Sequence, residues 1–109
     1  KHTPMNKDFI PMQSVNDQVI QDWKFKHGTI FRFESEDGKV GYFKKPDRKI
    51  MDVVSAIAKS NPVKSNELLA TNCILGGDAE LVEKDEYFYG LSAKLNALIK
   101  VKQGELTEL

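Results

Sequence analysis

The chain has 109 residues, 16 of them basic and 16 acidic, with 40% hydrophobic and 29% charged side chains. This is the balance of a globular domain with one modest core, and the length is too short for two. Zero net charge removes any global case for a nucleic-acid or membrane-surface binder, the single cysteine, Cys73, removes disulfide and multi-cysteine metal sites, and no apolar run approaches the ~20 residues of a membrane helix.

Residues 1–13 carry two prolines and no hydrophobic periodicity, so they read as a disordered or loosely docked N-terminal tail. They lack the sustained apolar stretch of a secretory signal. The first residue is Lys rather than Met, so part of this tail reads as an addition, with Met5 and Met12 as alternative native starts. Residues 14–109 are expected to form one domain.

Ser14 reads as the N-cap of a short helix, with Asp17 three residues on. Val15, Val19 and Trp23 recur at helical spacing beside Ile20, and Lys24, Lys26 and His27 lead to a glycine stop at Gly28. A β-hairpin follows. Phe31 and Phe33 alternate with Arg32 and Glu34, Glu36-Asp37-Gly38-Lys39 supplies the turn, and Val40 to Phe43 returns until Pro46 ends the strand. A two-residue turn pairs Phe33 with Tyr42, whereas a type I turn with a glycine bulge pairs Phe31 with Phe43. The bulged form is preferred, because it gathers Phe31, Phe33 and Phe43 on one face.

Three helical segments complete the chain. Asp47 caps the first, which runs to Lys59 with an apolar stripe of Ile50, Val53 or Val54, and Ile57. Asn61 and Pro62 restart a helix as N-cap and first helical residue, carrying Leu68, Leu69 and Cys73 through Ile74 to a Gly76-Gly77 stop. After an acidic loop from Asp78 to Lys84, Asp85 caps a last helix with Phe88, Leu91, Leu95, Leu98 and Lys102 along one stripe and Ile99 widening it, and residues 103–109 are expected to fray. The architecture implied is α+β, one β-hairpin packed against about four α-helices. A lone hairpin is marginal in water, so its phenylalanine face must rest on the helices or on another subunit.

Signals for catalysis are poor. His2 and His27 have no partner at ligand or triad spacing, and His27 reads as a cation favouring a helix C-terminus. Cys73 lies among leucines and isoleucine, where cysteine behaves as a small buried hydrophobe. Gly76-Gly77-Asp78 lacks both the preceding strand and the following Lys-Ser or Lys-Thr of a phosphate loop, and the acidic run lacks EF-hand spacing. No catalytic residue, metal site or cofactor is therefore expected. The charges, however, are segregated. Lys39, Lys44, Lys45, Arg48 and Lys49 face Asp47 alone in one run, and Asp78, Glu80, Glu83, Asp85 and Glu86 face Lys84 alone in another. These runs either meet within the domain, meet head to tail between copies, or stay as separate solvated faces. Lys44, Lys45, Arg48, Lys49, Glu80, Glu83 and Glu86 are the candidate partner-binding residues. Nucleic acid is an unfavoured partner, since one hairpin offers no groove.

The order of landmarks from Trp23 to Leu109 resembles the small tail assembly chaperones of long-tailed bacteriophages and prophages. The residues that carry it are Gly28 to Phe33 with Gly38 to Phe43, then Lys45-Pro46-Asp47-Arg48, Asn61-Pro62, and Leu68-Leu69-Ala70-Thr71-Asn72-Cys73-Ile74-Leu75-Gly76-Gly77-Asp78. The resemblance implies a non-enzymatic, cytoplasmic protein of the bacterial host cell that binds the tape-measure protein and recruits tail-tube subunits. It also implies repeated copies and, in many members, a longer frameshifted form, and it brings no catalytic residues. The alternatives are a structural or adaptor protein of a phage or mobile element, or a small nucleic-acid-binding regulator using the basic run.

Overall fold

The described residues, 8–96 and 104–109 in this computed structural model, form four strands and five helices. The strands are β1 (Ile10–Pro11), β2 (Ile30–Glu34), β3 (Val40–Lys44) and β4 (Ile74–Gly77). The helices are α1 (Asp17–His27), α2 (Arg48–Ala58), α3 (Pro62–Cys73), α4 (Glu80–Glu83) and α5 (Asp85–Asn96). The class is α+β, as expected. The sheet, however, has four strands rather than two, in the order β1-β4-β3-β2. β4 runs parallel to β1 and antiparallel to β3.

Local chemistry explains most boundaries. Asp47 accepts a hydrogen bond from the Ile50 amide at 2.9 Å, and Asn61 accepts one from the Lys64 amide at 3.1 Å, so both expected caps act as caps. At α1 the cap is Asn16, which accepts from the Val19 amide at 2.9 Å, and not Ser14, which ends a 3₁₀ turn at Met12–Ser14. In the hairpin, Gly38 adopts φ 94° and its amide donates to the Ser35 carbonyl at 3.0 Å. That is the bulged turn, and Phe31 pairs with Phe43 while Tyr42 pairs with Arg32.

Two expectations fail at the end of α3. The helix stops at Cys73, and Ile74 to Gly77 is not a helix end with a glycine stop but the second strand of the sheet, between β1 and β3. Its glycines are needed for closeness. A Cβ on Gly76 would lie 2.5 Å from the Ile10 carbonyl oxygen, and Gly77 holds φ 117° against the Val40 carbonyl. The acidic segment after it is not all loop, because Leu81 and Val82 drive a short helix, α4, into the core. The end of the N-terminal segment is also structured, since Ile10–Pro11 pairs with Gly76–Gly77 and Phe9 packs on the core.

The sheet is covered on both faces. α1 lays Trp23, Val19 and Ile20 over Val40, Tyr42 and Leu75, with the Trp23 and Tyr42 rings 5.5 Å apart. The other face packs Phe43 and Ile74 against Val54, Leu69, Leu81, Phe88, Leu91 and Leu95 from α2 to α5. The buried Ser65 hydroxyl donates to the Val54 carbonyl at 3.0 Å and ties α3 to α2. Val54, not Val53, is the buried member of the α2 stripe. Leu98, Ile99 and Lys102 of the expected α5 stripe lie outside the described residues.

Candidate functional site

The segregated charge runs touch at one point within the chain. The Lys39 ammonium lies 3.1 Å from Glu80, which also pairs with Lys84 at 3.2 Å. The shared hydrogen bonds hold the Glu80 carboxyl below its usual range and push the Lys39 ammonium up. Glu80 is thus engaged at home. Lys44 closes β3, Lys45 follows it in the loop, and Arg48 and Lys49 open α2, all on the basic side. Glu83 ends α4 and Glu86 opens α5, both exposed. Among the described residues, these other six candidates form no ion pair with one another.

Two clefts flank the sheet. The first, about 350 Å³, lies between α1 and the sheet over Trp23, Ile74 and Leu75, with Asp8, Asp22, Lys26, His27 and Lys44 at its rim. Its cations and carboxylates offset each other. Partial burial, then Lys44 and Lys26, pull the His27 imidazole below its ordinary value, so its charged form is disfavoured at the end of α1.

The second cleft is a wider groove of about 510 Å³ between the hairpin turn and α5. Phe33, Tyr87 and Gly90 line it, with Glu34, Glu36, Asp37 and Glu86 around them and Lys94 at the far end. The Tyr87 hydroxyl donates to Asp37 at 2.6 Å, bridging 50 positions of sequence. The Ser35 hydroxyl, and then this bond, hold the Asp37 carboxyl below its usual range, and the bond raises the Tyr87 phenol to about 12. The result is an aromatic groove with carboxylates at its rim, suited to an apolar segment flanked by cations. Only Glu86 among the expected partner residues reaches it. Gly90 was the available signal, a glycine interrupting a strong helix three residues after a tyrosine.

Nothing in either cleft assembles an acid, base and nucleophile. Among the described residues no three His, Cys, Asp or Glu side chains are grouped to hold a metal ion. Cys73 is fully buried, and burial pushes its thiol up to about 11, so it is protonated at neutral pH. No described helix is long and apolar enough to cross a membrane. No family model, no curated protein and no solved structure matches the chain.

Proposed function

We propose that this chain is a non-enzymatic protein-binding module of the phage or prophage tail-assembly-chaperone type. In this role it holds the tape-measure protein during assembly and helps recruit tail-tube subunits. The observation that supports binding is the open aromatic groove rimmed by Glu34, Glu36, Asp37 and Glu86. The assignment to tail assembly rests on the resemblance of residues 23–109. A helical client with an apolar stripe edged by lysine or arginine has the complementary chemistry.

Co-expression with a phage tape-measure protein tests this reading. The expected result is a soluble complex with the parent chain and its loss with Gly90→Leu. That substitution fills the groove from a position where a Cβ has open space. A tape-measure protein that stays as insoluble with the parent chain as without it overturns the proposal. A regulator acting through Lys44, Lys45, Arg48 and Lys49 would instead bind duplex DNA with affinity falling steeply as salt rises.

A further inference from the structure

We propose that the outer edge of β2 pairs antiparallel with β2 of a second copy of this chain, centred on Arg32, joining the two sheets across a two-fold axis. This goes beyond client binding and does not depend on it.

Hydrogen bonding fixes which groups face outward. The Ser35 amide donates to the Lys39 carbonyl at 2.8 Å, and the register continues through Phe33 with Gly41 and Phe31 with Phe43. Those residues are the hydrogen-bonded pairs of the hairpin, so the amides and carbonyls of Ile30, Arg32 and Glu34 point away from β3. The other side of β3 agrees, since the Val40 amide and carbonyl are both turned toward Asp78. β2 ends the strand order, so no strand among the described residues takes up this row.

The two edges of the sheet differ. β1 is two residues long and ends in Pro11, which has no N–H to offer, so that edge is blunt. β2 has five residues, Ile-Phe-Arg-Phe-Glu, with no proline and no lysine. Its two charges, Arg32 and Glu34, are of opposite sign.

Its sequence is complementary to itself. With Arg32 on the axis, Ile30 lies opposite Glu34 of the second copy, and each outward residue meets an outward residue. Arg32 and Glu34 are about half exposed and already paired at 2.9 Å along the strand. Across the axis each Arg32 sits diagonal to Glu34 of the other copy, so opposite charges alternate and offset the two facing arginines. On the other face, Phe31 meets Phe33 of the second copy in a closely spaced non-hydrogen-bonded pair. Both rings are half-buried; Phe33 packs on the core built from α2 to α5, and the alternation of the strand puts Phe31 on the same face. The hairpin's need for cover is then met partly by its own twin.

Sedimentation velocity over a concentration series reads the result. The parent chain is expected to dimerise. Arg32→Pro removes an outward amide and leaves the ladder to β3 intact, so it is expected to be a monomer with the parent's helix content and cooperative melting. A parent chain that is monomeric at every concentration, or an Arg32→Pro protein that dimerises like the parent, overturns the proposal. Arg32→Cys keeps the question open to measurement if the proline variant misfolds. Facing residues of a hydrogen-bonded pair sit about 5.5 Å apart at Cα, within disulfide reach. Cys73 is buried, so mild oxidation is expected to link Arg32→Cys chains through position 32 while exposed Lys59→Cys chains form no covalent dimer. Equal cross-linking of both, or of neither, counts against the β2 edge. A monomer that captures an extended client segment on this edge replaces the second copy with another occupant and also overturns it.

Discussion

Asp78 and Val40 hold each other twice. The Asp78 amide donates to the Val40 carbonyl at 2.8 Å, and the Val40 amide donates to the Asp78 carboxylate at 2.9 Å. The pair locks the end of β4 to the start of β3. It also explains the aspartate after the two glycines without phosphate or metal chemistry.

Asp78→Ala leaves the Val40 amide without its acceptor in a half-buried place. It is expected to destabilise the fold by about 1–3 kcal/mol, and Asp78→Asn, which keeps an acceptor oxygen, by less. Urea midpoints at constant slope measure both. Equal effects of the two substitutions would mean that charge, and not the hydrogen bond, is what matters.

Gly77 and Gly90 should respond to alanine with opposite signs. Gly77 needs its positive φ and the space against Val40, so Gly77→Ala is expected to cost about 1–3 kcal/mol or more. Gly90 lies inside α5 with nothing near its Cβ position, so Gly90→Ala is expected to stabilise by about 0.5–1 kcal/mol. Thermal melting of the two variants beside the parent checks the contrast.

Leu95 is buried against the helical face of the sheet. Leu95→Ala is expected to destabilise by about 2–5 kcal/mol. Domains hold only ~5–15 kcal/mol in total, so a sizeable unfolded population should appear in mild denaturant. An unchanged midpoint would show that this position carries no core contact.

Cys73 has its pKa raised by burial from 9.0 to about 11. The folded state therefore favours the protonated thiol. Its contribution to stability is fully present below about pH 9 and is lost as pH rises toward 11. At neutral pH a thiol reagent should label the folded protein slowly and the unfolded protein fast. Rapid labelling of the folded chain would contradict the burial.

Tyr87 should be the phenol that titrates late. The hydrogen bond to Asp37 raises it to about 12, so Tyr87→Phe is expected to remove that component from an ultraviolet tyrosinate titration. Asp37→Asn should bring the same component to lower pH.

The elements readable in advance are those whose causes lie within a few residues. The Asp47 and Asn61 caps, the Gly38 bulge with its Phe31 to Phe43 register, and the Leu91 and Leu95 stripe all follow from local hydrogen bonds or short periodicity. The strand at Ile74–Gly77 has no local cause. Two glycines after a leucine-rich helix read as a stop, and only the strands on either side convert them into a place where backbones come close. The groove is hidden for the same reason, since Asp37 and Tyr87 meet across 50 positions and neither belongs to a charge run or an apolar stripe. By itself the sequence determined the class, the starts of α2 and α3, the hairpin and most of the core. The tertiary structure decided which segment entered the sheet, which edge stayed open and which side chains lined a groove, because each depends on partners distant in the chain, and pairing at that range leaves no spacing pattern to read.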